Sequence, residues 1–196
     1  MLETLKPAPP DRIIEMMQRF RADPRTDKID LGVGVYKDAE GRTPVMRAVK
    51  AAERRLVEEQ DSKAYVGLLG DTEFVDLMAD LALGPAVPAE RLAGAQTPGG
   101  TGAIHQLFEL IHRASPSATV WMSDPTWPNH PAILAHLGIP SRTYRYFDAE
   151  TRGVDFAGVM ADLTDLKPGD VLLLHGCCHN PTGASLSLDQ WRELTD

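Results

Sequence analysis

The chain has 196 residues, 43% of them hydrophobic, and a formal net charge of −8 that arises from 28 acidic and 20 basic side chains. A domain of this length buries roughly 70% of its unfolded surface, so the chain is long enough for one domain or for parts of two. Because it has neither a long basic run nor an apolar stretch of about 18 residues, its composition argues against nucleic acid or membrane partners and favours small molecules or like subunits.

An extended arm is predicted at the N-terminus, over residues 1–12. Pro7, Pro9 and Pro10 lie in it, and proline removes the backbone donor that a helix needs. The arm lacks the apolar centre of a secretory signal, so we expect a reducing, cytoplasmic location. A helix with apolar residues at helical spacing follows, and Ile29–Leu31 is then predicted to be a short strand.

Two further helices are predicted before a regular alternation of helices and strands. Thr43 and Pro44 suit the N-cap and first position of a long helix, and another helix begins near Thr72. The alternation implies a mainly parallel sheet with flanking helices. It comprises helices over 102–112, 131–137, 155–163 and 188–194 and strands over 119–122, 142–147 and 171–175.

A glycine-rich turn, AQTPGGTGA over residues 95–103, lies where the first helix of this alternation begins. Such a turn offers unpaired backbone N–H groups and the positive end of the helix dipole to an anion, most often a phosphate. The segment lacks the Gly-Lys-Ser/Thr of a P-loop, and its glycines are too crowded for the dinucleotide fingerprint. A flexible loop ahead of a helix is the alternative.

Two polar segments follow predicted strands. In VWMSDPTWPNH, residues 120–130, Trp127 lies in a turn, where an indole either anchors the loop on a helix or covers a flat ligand. In VLLLHGCCHNPTG, residues 171–183, an apolar run delivers two histidines, two cysteines and an asparagine into a turn. Because open α/β sheets bind ligands beyond the carboxyl ends of their strands, we expect both segments near the binding site.

Together, the segments TPGGTGA, SDPTWPNH and HGCCHNPTG resemble the pyridoxal-phosphate-dependent aminotransferases of fold type I, in particular the aspartate and aromatic amino acid (tyrosine) aminotransferase subgroup. The resemblance extends through residues 29–38 and 44–53. It implies the aspartate aminotransferase-like α/β fold, incomplete in this chain. Residues 13–45 then form the N-terminal portion of the small domain and residues 46–196 the first part of the large cofactor-binding domain. In that family the arm embraces a partner subunit, so a homodimer is expected.

The resemblance also implies a cofactor, pyridoxal 5′-phosphate, and the residues that hold it. Its phosphate is expected at Gly99, Gly100 and Thr101, in agreement with the argument from the helix N-terminus. Trp127 is expected to stack on the pyridine ring, and Asn180 to donate to the phenolic oxygen of that ring. Both side chains are also expected to border the substrate.

Further roles follow from the same resemblance. His130 matches a residue that orients a carboxylate bound to the pyridine nitrogen, and that carboxylate is not in this chain. Tyr65 matches a tyrosine that reaches the cofactor phosphate of the neighbouring subunit. The turn at Val33 and Gly34 matches the backbone that approaches the substrate α-carboxylate, where a glycine permits close approach.

His175 and His179 are assigned less narrowly. They are either packing groups or members of the hydrogen-bond network beneath the cofactor. None of the lysines of this chain occupies the family position that forms the Schiff base, which lies well downstream of the Asn-Pro-Thr-Gly turn. The resemblance therefore places no catalytic residue in this chain.

The expected activity is that of an aminotransferase that moves an amino group from aspartate or an aromatic amino acid to 2-oxoglutarate, with this chain as its N-terminal portion. A non-catalytic aminotransferase-like fragment that serves in binding or assembly is the alternative. No metal is expected, because Cys177 and Cys178 are adjacent and neighbouring strand residues point to opposite faces. A nicotinamide site at Gly32 and Gly34 is opposed by Lys37, which stands where the fingerprint requires its third glycine.

Overall fold

The computed structural model describes residues 2–4, 12–30, 32 and 34–196. The chain divides into two compact units, residues 1–64 and residues 65–196. Most of the predicted arm lies outside the described residues, and the predicted division into domains at residues 12, 45 and 196 stays a prediction. Among the described residues, no helix is both long and apolar enough to cross a membrane.

The first unit contains two helices, α1 (Arg12–Ala22) and α2 (Arg47–Glu59). Helix α2 begins later than predicted, because residues 43–46 stay extended and Met46, not Thr43, is the N-cap residue. The predicted strand is wrong for Ile29 and Asp30, and Leu31 lies outside the described residues. The Asp30 carboxylate instead accepts from the backbone N–H of Gly32 and pairs with Lys37. These local contacts stabilise a turn, whereas a strand would need a neighbouring strand to pair with.

The second unit carries the predicted alternation. The turn before its first helix is tied by a cap, since the Asp71 carboxylate accepts from the backbone N–H of Phe74. In chain order the elements are α3 (Thr72–Leu83), α4 (Gly99–Ala114), β1 (Val120–Asp124), α5 (Asn129–Leu137), β2 (Ser141–Arg145), β3 (Phe147–Asp148), β4 (Gly153–Val154), α6 (Phe156–Leu163), β5 (Val171–Leu172) and α7 (Leu188–Thr195).

Strands β2, β1 and β5 form a parallel sheet in that order, with β1 in the centre. Four of its five residues are buried, as expected for a central strand that is covered on both faces. The strand predicted over 142–147 is divided, because Tyr146 leaves the ladder and its carbonyl accepts from the backbone N–H of Asp155. The residues that follow pair as the antiparallel hairpin of β3 and β4.

Two apolar clusters cover the faces of this sheet. Val120 and Met122 point to one face, where Phe108 of α4 and Leu134 of α5 pack on them. Trp121 points to the other face and packs with a cluster that includes Tyr144, Tyr146 and Val159 of α6. The alternation of β1 side chains therefore produces three layers, with α4 and α5 on one side and α6 on the other.

Helix α3 leaves a large part of its apolar surface uncovered. Phe74, Leu77, Met78 and Leu81 are 46%, 62%, 45% and 80% exposed. Phe74 and Met78 line a groove of about 760 Å³ between α3 and residues 84–95. Contiguous apolar surface of this kind marks a contact region in soluble proteins.

Candidate functional site

The polar segments that follow β1 and β5 meet at the carboxyl end of the sheet. The chain leaves β1 toward β2 on one side and later returns to β5 on the other side of β1, so the crevice between β1 and β5 is a switch point of the topology. A cleft of about 270 Å³ lies there. It is lined by Ile104, Trp127, His130, Leu173, Leu174, His175, Cys177, Cys178 and Asn180.

The turn after β1 places Trp127 and His130 side by side. Strand β1 ends at Asp124, a cis bond joins it to Pro125, and α5 begins at Asn129. The backbone N–H of His130 donates to the Trp127 carbonyl at 2.9 Å, and the two rings meet edge to face with centroids 5.3 Å apart. The indole is half-buried, so one part of it stays available to the cleft.

The segment after β5 turns away from the sheet earlier than the sequence predicts. The ladder continues by one bond, from the Leu173 N–H to the Trp121 carbonyl, but the Leu173 carbonyl accepts from the Tyr144 hydroxyl at 2.9 Å. Residues 173–180 are therefore free to form a turn, which ends in the cis bond between Asn180 and Pro181.

A chain of hydrogen bonds links Asn180 to His130. The backbone N–H of Asn180 donates to His175 Nδ1 at 3.0 Å, so a neutral His175 carries its proton on Nε2. That atom lies 3.3 Å from Thr126 Oγ1, which in turn lies 2.8 Å from His130 Nδ1. Thr126 thus accepts from His175 and donates to His130. The proton of a neutral His130 is then on Nε2, which has no hydrogen-bond partner among the described residues.

His179 belongs to a second hydrogen-bond network, which is buried next to the one that links Asn180 to His130. Its Nε2 is 2.8 Å from Ser123 Oγ, and its Nδ1 is 2.8 Å from Thr182 Oγ1. The ring stacks between His175 and Tyr146, with centroid distances of 4.2 and 4.0 Å. The rings of these histidines therefore pack on each other and their nitrogens belong to a hydrogen-bond network, and the position of that network beneath the cofactor stays a prediction.

Burial keeps the three imidazoles neutral. Burial, together with a smaller contribution from the nearby His175, lowers the pKa of His130 from 6.5 to about 4. Burial is also the main cause that lowers the pKa of His179 to about 4, with the adjacent histidines as further causes. The pKa of His175 is lowered by burial as well. Neutral rings can accept and donate hydrogen bonds in the fixed directions described above.

The glycine-rich turn forms an open helix N-terminus. No side chain caps α4, whose N-cap residue is Pro98, and Gly99 has a positive φ of 68°. A Cβ added to Gly99 or Gly100 would meet nothing within 4 Å, so the space beside this turn is open. Thr101 Oγ1 accepts from the Asn129 side chain at 3.1 Å, which ties the start of α4 to the start of α5. Two helix N-termini therefore lie close together, which favours an anion there.

Of the predicted site residues in the second unit, Trp127, His130 and Asn180 line the cleft, whereas Gly99, Gly100, Thr101 and Tyr65 do not. Tyr65 belongs to the second unit, and its side chain is completely exposed. Gly34 belongs to the first unit, with nothing within 4 Å of an added Cβ. Val33 lies outside the described residues. The roles predicted for Tyr65, Gly34 and Val33 stay predictions.

The residues that hold the histidines in place were not predicted from the sequence. Thr126, Ser123 and Thr182 are ordinary hydroxyl residues whose importance depends on contacts between distant segments. One signal was available for Thr126, which lies four residues before His130 in the same motif.

The reason given against a metal site is also wrong, because Cys177 and Cys178 follow the strand and line the same cleft. Among the described residues there is nevertheless no group of three or more histidine, cysteine or acidic side chains that could hold a metal ion.

Comparison with protein families gives one match that covers most of the chain. The family model described as "Aminotransferase class I and II" matches residues 26–196. Among curated proteins, the chain is 59% identical over 194 residues to an aromatic-amino-acid aminotransferase of Paracoccus denitrificans and 43% identical over 199 residues to an aspartate aminotransferase of Salmonella typhi. It covers 49% of the first protein and 50% of the second, so it spans about half the length of the curated relatives that it matches.

Solved structures of the same kind share the fold. A structure titled as an aromatic amino acid aminotransferase with 3-indolebutyric acid matches with a TM-score of 0.94 and 59% identity, over 99% of this chain and 49% of that chain. An aromatic-amino-acid aminotransferase from Burkholderia pseudomallei, described as covalently bound to pyridoxal phosphate, matches with a TM-score of 0.93 and 38% identity, over 99% of this chain and 49% of that chain. The expected fold class is therefore confirmed, with about half of the fold present in this chain.

Proposed function

Since the chain belongs to the class I and II aminotransferase family, we propose that it is the N-terminal portion of a pyridoxal-phosphate-dependent aminotransferase. In the proposed reaction an amino group moves from an aromatic amino acid or aspartate to 2-oxoglutarate. The observation that carries the proposal is the cleft at the switch point of the sheet, which brings Trp127, His130 and Asn180 together. The names of its relatives support aromatic and aspartate substrates.

The residues at this end of the sheet fit the cofactor chemically. The uncapped start of α4 and the open space beside Gly99 and Gly100 suit a phosphate, which accepts from backbone N–H groups. The half-buried indole of Trp127 suits a flat aromatic ring, and the Asn180 amide suits an oxygen acceptor on it. When bound, the cofactor supplies an electron sink for the carbanion formed at the amino acid α-carbon.

The residues of this chain would position the cofactor and keep water away from it. Trp127 would restrict the tilt of the ring, and Asn180 would favour an ionised oxygen on it by donating a hydrogen bond. His130, held by Thr126, has its Nε2–H free to orient a carboxylate that lies outside this chain. The lysine of the family also lies outside this chain, and no lysine lines the cleft among the described residues.

The affinity for the cofactor tests this proposal. In the full-length protein, Trp127→Ala should weaken binding of pyridoxal phosphate at least tenfold, about 1.4 kcal/mol, because the flat contact surface is lost. Trp127→Phe keeps an aromatic face and should lose less. The measurement is the cofactor dissociation constant from absorbance titration, followed by an assay of transamination with phenylalanine, tyrosine and aspartate.

Trp191→Ala is the matched control for this experiment. Trp191 lies on α7 and does not line the cleft, so the control removes an indole without touching the site. If Trp127→Ala binds the cofactor as tightly as Trp191→Ala, the cleft does not hold the cofactor ring. The mass and activity of the intact protein test the alternative of a non-catalytic fragment. A protein of only this length, without a lysine in the cleft, should not catalyse transamination.

A homodimer with shared sites, in the cytoplasm, completes the proposal. The complete exposure of the Tyr65 side chain supports a contact with a partner subunit. If Tyr65 donates to the partner's cofactor phosphate, Tyr65→Phe removes one hydrogen bond to a charged group. We expect a loss of about 1.5 to 3 kcal/mol, roughly ten- to a hundredfold in cofactor affinity.

A mixed dimer decides where Tyr65 acts. One subunit carries Tyr65→Phe, and the other lacks the family's lysine. With shared sites, the site that keeps its lysine also keeps an intact Tyr65 from its partner and should bind cofactor normally. Weak binding at that site, as in the Tyr65→Phe homodimer, would show that the tyrosine serves its own subunit.

A further inference from the structure

Two cysteines that are adjacent in sequence line the cleft. Cys177 and Cys178 are the two cysteines of the chain, and both are free and exposed. Both line the cleft together with Trp127, His175 and Asn180. The function proposed above uses neither of them.

The local backbone favours two open thiols over a disulfide. Adjacent Cα atoms across a trans peptide are about 3.8 Å apart, which is shorter than the roughly 4.4 to 6.8 Å of ordinary disulfides. A bond between these neighbours would therefore be strained and easily reduced. Cys178 has a positive φ of 53° and lies in a bend, so the two side chains do not alternate across a strand.

The surrounding donors exclude a conventional zinc site but leave a two-sulfur site. Zinc is almost always held by four ligands in structural sites. Of the histidines that line the cleft or stack beneath it, only His130 has a nitrogen without a hydrogen bond, and the described residues contain no group of three or more side chains that could hold a metal ion. Both nitrogens of His175 and both nitrogens of His179 are already hydrogen-bonded. A soft centre that needs only two thiolates remains compatible with the pair.

We propose that Cys177 and Cys178 form a two-thiol binding site for trivalent arsenic compounds. Each molecule of an organic arsenoxide forms two As–S bonds, and its oxygen leaves with the two thiol protons as water. No electron is transferred, so no oxidant or reductant is required. Because both cysteines line the cleft with Trp127 and Asn180, the adduct would occupy space beside these two residues. Only its effect on cofactor binding rests on the proposed function.

Phenylarsine oxide is the probe that tests this site. The full-length protein, prepared without cofactor, is treated with one equivalent and then with excess 2-mercaptoethanol, and the adduct is located by peptide mass mapping. We expect one adduct on the peptide that contains Cys177 and Cys178, resistant to the monothiol and removed by 2,3-dimercaptopropanol. Holding arsenic at two points should strengthen binding by about 100-fold or more over one thiol.

Cys177→Ser and Cys178→Ser are the matched variants, since each keeps one thiol in a nearly unchanged volume. Each should lose about 100-fold in affinity, and its adduct should be removed by the monothiol. The proposal is overturned if either variant still forms an adduct that resists the monothiol. It is also overturned if the unsubstituted protein forms no such adduct.

The adduct is also expected to reduce cofactor binding, and prior saturation with pyridoxal phosphate should slow its formation. A protein that forms the adduct but never binds pyridoxal phosphate would contradict the proposed function and leave the thiol site standing.

Discussion

Acidification of the 196-residue protein from pH 7 to pH 5 should lower the free energy of unfolding by about 4 kcal/mol through His130 and His179 together. Both have a pKa of about 4 in the folded protein, because burial disfavours the charged ring, against an ordinary value of 6.5. As the pH falls through 6.5, these two histidines bind protons in the unfolded chain but stay neutral in the folded chain. The stability contributed by these histidines is therefore complete above pH 6.5 and lost progressively between pH 6.5 and pH 4.

Urea denaturation at half-unit steps between pH 7 and pH 5 measures this effect. The interval is chosen because unperturbed carboxylates take up most of their protons below pH 5. Below about pH 6 the slope should approach about 1.4 kcal/mol per pH unit for each histidine that stays neutral in the folded protein, and His175 adds to it in the same direction.

His179→Gln provides the comparison, because glutamine can still bond to Ser123 and Thr182 but does not titrate. The slope of this variant should be clearly smaller than that of the unsubstituted protein. An unchanged slope would mean that His179 does not resist protonation in the folded state.

Leu134→Ala should destabilise the protein by about 2 to 5 kcal/mol, because Leu134 is 0% exposed and its loss leaves a cavity. Leu134 packs α5 on the sheet within the cluster formed by Phe108, Val120 and Met122. The same helix carries His130 at its start, so the cavity also loosens one wall of the cleft. Thermal and urea denaturation measure the change.

Leu81→Ala is a matched substitution on the surface of α3. In the 196-residue protein Leu81 is 80% exposed, so its replacement there should change the free energy of unfolding by no more than about 0.5 kcal/mol. Equal effects of the two substitutions would mean that α5 does not pack on the sheet as described.

The elements of the second unit were largely predictable, because each helix and strand has its own periodicity. The predicted helices over 131–137 and 155–163 agree closely with α5 and α6. The strand ends were not predictable. Strand β5 ends at Leu172 because the Leu173 carbonyl accepts from the hydroxyl of Tyr144, which is distant in sequence. No local sequence pattern predicts such a contact.

The sequence motifs of the site were predictable, but the hydrogen bonds between its residues were not. Trp127, His130 and Asn180 stand out in the sequence because a tryptophan, a histidine and an asparagine lie in turns after apolar runs. The order of hydrogen bonds from Asn180 through His175 and Thr126 to His130 depends on side chains from two segments that are far apart in sequence. Only the folded chain defines which nitrogen carries each proton.

The uncovered face of α3 has a consequence for biosynthesis. In a protein of the relatives' length, about as many residues follow this chain as it contains. A ribosome adds about 5 to 20 residues per second, so a further stretch of that length would take roughly 10 to 40 s to synthesise. Throughout that interval Phe74, Leu77 and Leu81 face water. Nascent chains stalled after residue 196 should therefore be captured by chaperones that bind apolar segments.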